Sequence, residues 1–296
     1  MDPASALRLL SLSAIWGASF LFMRHAAPVL GPVLLIALRV ALAALFLLGV
    51  ARLLRKPLGL VAHWRHFLIL GLFNSALPFV LFAYAALHIS ASLLSILNAT
   101  APIWGVAVGA LWSRTAISWR AGAGVLLGIV GVATVAGVET LALAPGDRLA
   151  VAAALAASLC YGIASTYAKS AAMARAVAPF ANAHGSMWAA LLILLPATWL
   201  TPLPSVAWDA ALLGSVAALG VLCSGVAYLL YFRLIADLGA ASALTVTFLI
   251  PVFGVCFGHV FLDEPVGWHT VGGAAIVLVG TALVTGFSPR TLFARR

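Results

Sequence analysis

Charge is scarce in this chain, and its placement decides what chemistry is open to it. Only seven of the 296 residues are Asp or Glu, and none falls deep inside a long apolar run. A buried carboxylate of the kind that carries protons or holds organic cations is therefore not expected. The deepest cation is Arg39, in Leu38-Arg39-Val40-Ala41. It lies about 10 Å into its run if that run is a helix. Two roles fit: capture of a substrate carboxylate or a gate contact on the outer side, or a structural arginine bonded to helix-end carbonyls or snorkelling outward. His184 lies in a similar run; a titrating ring and a neutral hydrogen-bonded ring both fit it. His63 and His66 are three residues apart with no third ligand nearby, so no metal site is expected, nor any cofactor. Cys160, Cys223 and Cys256 are far apart and read as small buried residues.

Aromatic and uncharged polar residues carry more of the signal. Trp16, Phe20, Phe79, Tyr84, Trp104, Tyr161, Tyr228, Tyr231 and Phe248 interleave with Asn74, Ser95, Asn98, Thr166, Ser224, Thr245 and Thr247. Buried amides and hydroxyls need partners. A cavity with aromatic walls and a few hydrogen-bonding groups suits a small zwitterion with an apolar side chain. Taken singly, each aromatic also fits core packing or an interfacial belt. The candidate binding residues are Trp16, Phe20, Arg39, Asn74, Phe79, Tyr84, Asn98, Tyr161, His184, Tyr228, Tyr231 and Thr245. The pairs Asn74/Asn98 and Tyr84/Tyr231 are favoured among them.

The elements that must position these residues follow from composition. The chain is 65% hydrophobic and 8% charged, against about 25% charged in soluble domains. Its solvent must be lipid. Ten apolar segments, near 5–27, 32–52, 66–87, 91–112, 119–138, 149–170, 179–200, 208–233, 240–261 and 267–287, are each long enough to cross a bilayer. Backbone groups in lipid must be satisfied within the segment, so the expected fold is all-α. The first segment reads as one of these helices rather than a processed leader. The net charge of +9 does not imply nucleic acid. Arg52, Arg55, Lys56, Arg65, Arg114, Arg120, Lys169, Arg175, Arg290, Arg295 and Arg296 fall on one side of an alternating chain. Glu139, Asp147, Arg148, Asp209, Asp263 and Glu264 fall on the other, with Arg24 near its edge. This bias predicts a multi-pass membrane protein with both termini cytoplasmic. A monomer or weak dimer in lipid is expected.

The second half repeats the first. Pro102-Ile103-Trp104-Gly105-Val106-Ala107-Val108-Gly109 returns 149 residues later as Pro251-Val252-Phe253-Gly254-Val255-Cys256-Phe257-Gly258. The same shift carries Trp119, Gly124, Gly131 and Gly137 onto Trp268, Gly273, Gly280 and Gly286. A shift of 145 carries Trp16-Gly17 onto Tyr161-Gly162, Arg24 onto Lys169 and Arg39 onto His184. The repeats are expected over 1–140 and 147–288, with an exposed link near Leu141–Gly146. Five spans per half require opposite orientations, the architecture of alternating access around a central site. Gly105/Gly109, Gly254/Gly258 and Gly124/Gly128 are spaced for close helix approach. Pro102 and Pro251 predict kinks in the fourth and ninth spans, either lining the centre or passive.

These residues resemble a family. Trp16-Gly17-Ala18-Ser19-Phe20, Arg39, and Phe261-Leu262-Asp263-Glu264-Pro265 followed by Gly272, Ile276 and Gly280 are similar to the start, second span and ending of the EamA family of the drug/metabolite transporter superfamily. The resemblance covers roughly Leu7 to Gly286. It implies ten helices and export of metabolites, with the first four helices of each half forming a cavity and the fifth bracing it. It points to neutral or aromatic amino acids; the alternative is a multidrug or quaternary-cation exporter, which would call for a buried acid. One departure stands out: Thr115 occupies the first-half position of Glu264. An enzyme or a channel fits less well, since there is no nucleophile with a His and an acid, and no filter loop.

Overall fold

The computed structural model describes residues 3–141, 145–169, 177–201, 206–238, 243 and 245–286, with the side chains of 136–141, 145 and 146 left aside. Part of the expected link near Leu141–Gly146, the side chain of Glu139, and Arg175, Arg290, Arg295 and Arg296 lie outside these. Ten helices cover the described residues, among which there is no strand. They are α1 (Pro3–Leu30), α2 (Pro32–Leu53), α3 (Trp64–Ala85), α4 (Ala91–Ser113), α5 (Trp119–Leu141), α6 (Pro145–Ala168), α7 (Pro179–Leu200), α8 (Ala210–Leu238), α9 (Val246–Leu262) and α10 (Trp268–Thr285). Eight are long and apolar enough to cross a membrane; α9, with 17 residues, and α5, counted over Trp119–Val135, are shorter.

Local chemistry sets the helix ends. Gly31 takes φ 74°, and Pro32 then opens α2, where its missing N–H is not needed. Ser90 accepts from Leu93 N at 3.0 Å and Asp209 accepts from Leu212 N at 2.7 Å, capping α4 and α8. The equivalent helices α4 and α9 both stop on a left-handed residue, Arg114 at φ 52° and Asp263 at φ 53°. The repeat therefore extends to the turn that ends them.

The third helix of each half carries a π-helical segment, Gly71–Ala76 in α3 and Ala218–Val226 in α8. Such wide turns leave the backbone ladder irregular and are frequent at functional sites. The fourth helices differ. Pro102 cannot donate to the Asn98 carbonyl, and α4 breaks at Ala99–Thr100. Thr100 Oγ1 bonds Leu97 O at 2.6 Å, while Ser158 of α6 and Thr281 of α10 donate to Leu97 O and Ala99 O. In α9 the helix runs continuously through Pro251, without the break seen in α4. Phe248 and Leu249 stand where α4 has Ala99 and Thr100, so no hydroxyl is present at the second of these positions to hold a break open.

The halves interlock by exchange. Helix α1 packs on α8 and α9, and its mate α6 packs on α3 and α4; α2 packs on α8, and α7 on α3. The equivalent pairs α2–α7 and α5–α10 meet each other. In the last pair a methyl on Gly124 would lie 2.6 Å from Gly280 O, and one on Gly131 would lie 2.9 Å from Gly273 O. Numbers rise along α5 as they fall along α10, so the two helices are antiparallel. Since they are repeat mates, the halves are inverted. The close approach expected from Gly254 exists, since a methyl there would collide with the Ser95 side chain of α4, and the first helix of each half carries a further notch. A methyl on Gly17 would sit 2.7 Å from Phe253 Cβ, and one on Gly162 would sit 2.8 Å from the Trp104 carbonyl carbon. Gly109 meets nothing nearer than Thr166 Oγ1 at 3.9 Å, and Gly128 meets the Ile103 side chain, not a backbone.

Candidate substrate cavity

A cavity of about 270 Å³ lies among α1, α2, α3, α4, α6, α8 and α9. From α1 come Trp16 and Phe20; from α3, Asn74 and Phe79; from α4, Asn98. Helix α2 contributes Arg39, α6 contributes Tyr161, and α8 contributes Tyr228 and Tyr231. These are nine of the twelve residues singled out from sequence. The other three lie elsewhere. Tyr84 packs against His88, with ring centroids 5.2 Å apart. Thr245 is buried just ahead of α9, while Val246 and Thr247 reach the wall. His184 is buried in α7, its Nε2 accepting from Trp188 Nε1 at 3.0 Å. No α7 residue lines the cavity, which corrects the expectation that the first four helices of each half would all form it.

Sequence reasoning passed over Met23, Phe82, Ser165, Cys223 and Ile250 on the wall. Two of these were within its reach. Ser165 is the repeat mate of Phe20, and Ile250 is the mate of Ala101, which also lines the cavity. Met23 and Phe82 had no signal that set them apart from lipid-facing apolar residues.

The wall is built by hydrogen bonds across the halves. Trp16 Nε1 donates to Cys223 O at 3.2 Å, and the Cys223 thiol donates back to Ile15 O at 3.3 Å. Asn74, in the first π segment, donates to Tyr228 OH at 3.1 Å. Ser224, in the second, donates to Leu219 O five residues back and accepts from Arg39 Nε at 2.9 Å. The π segments thus supply the polar groups that fix the aromatic rings and the arginine. Trp16 lies against Tyr231 at 5.5 Å, Phe20 edge-on to Phe82 at 5.6 Å, and Phe82 stacks on Tyr161 at 6.1 Å. Such ring pairs add about 1 kcal/mol each beyond their area.

Arg39 dominates the electrostatics. It is buried, its guanidinium carbon is 3.9 Å from the Phe79 ring centroid, and Nη1 reaches Met23 Sδ at 3.9 Å. A desolvated cation over a ring is stabilised by about 2 kcal/mol, so the group is pinned rather than snorkelling. None of the wall residues is acidic. The cavity therefore presents one fixed positive charge among rings, amides and hydroxyls. His66, in the first turn of α3, is buried and bonded to Tyr167 OH at 3.1 Å and Asn182 Oδ1 at 2.7 Å, where it ties α3 to α6 and α7.

Known proteins match this arrangement along its whole length. An uncharacterized transporter of Archaeoglobus fulgidus is 25% identical, covering 91% of this chain and 94% of its own. The uncharacterized transporter YvbV of Bacillus subtilis is 23% identical, over 95% of this chain and 91% of its own; YoaV of the same organism is 22% identical, over 94% and 96%. A solved crystal structure superposes with a TM-score of 0.65 at 19% identity, covering 98% of this chain and 99% of that one, which shows the fold alone. The profile of the EamA-like transporter family matches residues 4–137 and again 148–286. The chain belongs to the EamA-like transporter family and is a multi-pass membrane transporter of the drug/metabolite type.

Proposed function

We propose that this transporter exports small organic solutes bearing a carboxylate, neutral and aromatic amino acids foremost, by alternating access across the bacterial inner membrane, with both termini cytoplasmic. One observation carries the reading: among the described residues the only ionised side chain on the cavity wall is Arg39, set among aromatic rings. A guanidinium takes a carboxylate through charge-assisted hydrogen bonds, roughly twice as strong as neutral ones. The rings and Asn98 supply faces and an acceptor for the ammonium and the apolar side chain. A cavity of this size holds one such solute. The same rings also suit a quaternary cation, but a fixed positive charge without a compensating acid opposes it.

The test is uptake into proteoliposomes of labelled phenylalanine, threonine, methionine and methyl viologen in parallel. Saturable amino-acid flux is expected, with KM raised at least tenfold in Arg39→Gln, about 1.4 kcal/mol of lost binding. Flux of methyl viologen alone, indifferent to Arg39, would move the assignment to cation export.

A further inference from the structure

The ends of α4 and α9 share a left-handed terminal residue and are closed differently. After the left-handed Asp263, the chain turns back so that Glu264 N bonds Gly258 O at 3.1 Å; after the left-handed Arg114, Thr115 N bonds Ala110 O at 3.0 Å. The repeat-equivalent side chains emerging from these turns are Glu264 and Thr115. The Glu264 carboxylate folds inward onto the first turn of α4. Oε1 accepts from Ala91 N at 2.6 Å, and Oε2 accepts from Ser92 N at 3.0 Å and Ser92 Oγ at 2.7 Å. These amides are helix-start donors that no helical carbonyl can reach, at the positive end of the helix dipole. Glu264 is 8% exposed, and His259 Nδ1 donates to its main-chain oxygen at 3.0 Å, fixing the turn. Gly258 makes the room: a methyl there would collide with the carboxylate.

At the other end the repeat position carries the uncharged Thr115, and residues 240 and 241, equivalent to Ala91 and Ser92, lie outside the described residues. Gly109, the mate of Gly258, faces open space, and a cleft of about 590 Å³ lies there between α4 and α6, lined by Gly105, Gly109, Thr115, Thr166 and Lys169.

We infer that Glu264 is the gate residue of the transport cycle: its carboxylate clamps α9 to the start of α4 and shuts the cavity at that end, and it must leave the α4 amides for the cavity to open there. This deepens the alternating-access reading and rests on it, but not on the identity of the solute. Both helices line the cavity, α4 through Asn98 and Ala101 and α9 through Val246, Thr247 and Ile250, and no other side chain of α9 or its following turn makes a charged contact with α4 among the described residues. Removing the clamp is expected to shift the population from one access state to the other.

Cys223 on the cavity wall is a built-in reporter. In the full-length Cys160→Ser, Cys256→Ser protein, a membrane-impermeant maleimide is applied in spheroplasts and in inverted vesicles, which expose opposite sides. With Glu264 in place, labelling is expected to be slow from the side bearing the α3–α4 and α9–α10 connections. In Glu264→Gln, where one carboxylate oxygen becomes a donor facing donors, it should quicken at least fivefold from that side and slow from the other. Ser92→Ala should move both rates in the same directions by less. Unchanged rates, or rates raised equally from both sides, would overturn the proposal and leave Glu264 a structural cap; should Glu264→Gln not fold, Ser92→Ala is judged by the same criteria. Loss of amino-acid flux with the labelling result intact would count against the solute, not the gate.

Discussion

The two halves of this transporter share their glycine-mediated helix contacts and part at three positions, Arg39, Thr100 and Glu264, among others. Gly124 and Gly131 in α5 find Gly280 and Gly273 in α10, and Gly17 and Gly162 occupy the same place on α9 and α4. Yet Arg39 lies on the cavity wall while its mate His184 bonds Trp188 within α7. Thr100 holds open a break that Leu249 does not, and Glu264 clamps where its mate is the uncharged Thr115. The difference has a physical cause. Helices related by a two-fold axis make each contact twice, so a residue that spoils close approach spoils it in both places. Side chains that point into a shared cavity or reach a loop face no such doubling and are free to diverge. On the function proposed here, binding and gating fall at the divergent positions.

The comparison is broken most directly at the α5–α10 contact. Gly124→Leu places a side chain against the Gly280 carbonyl, and overpacking of this kind costs about 1–3 kcal/mol or more. Gly122→Ala, where nothing lies within 4 Å, should instead be neutral or stabilising by about 1 kcal/mol through helix propensity. Thermal denaturation of the purified protein in detergent separates the two; equal melting temperatures would mean that the backbones do not meet there. A smaller effect sharpens the comparison of Arg39 with its mate. His184→Gln should leave KM within about twofold of the parent while Arg39→Gln raises it tenfold or more, roughly the 1.4 kcal/mol per decade of affinity; equal losses would return His184 to the binding site. The smallest expected effect compares the mates Asn98 and Thr247, both on the wall. Asn98→Leu should raise KM about fivefold, near 1 kcal/mol for one hydrogen bond, and Thr247→Val less. The reverse order would place the polar contact on α9.

Much of the fold was legible without coordinates because lipid imposes period and length on every span. Segment ends read from the apolar runs fall within a few residues of most described helices, and the inversion follows from an odd number of spans. The cavity was legible in part. Trp16 and Tyr161 are mates on mates, and Asn98 stood out as an amide four residues before a proline. Tyr84, His184 and Thr245 could not be sorted from them, since in a membrane helix the lipid face and the cavity face are both apolar and the helical period no longer separates inside from outside. The π segments were invisible as well, for they depend on which carbonyls Ser224 and its neighbours bond.

The sequence by itself determined that this chain spans a membrane ten times, that its halves are inverted copies, and that its scarce charges leave one arginine deep in a span. These follow from hydropathy, count and repetition, which are properties of the chain taken in order. Only the tertiary structure decided that Arg39 faces a ring and a cavity while His184 does not, and that Glu264 leaves its loop for the start of α4. Both outcomes rest on distances between residues 173 or 185 apart in sequence, and a hydrogen bond is decided by tenths of an ångström that no local pattern encodes.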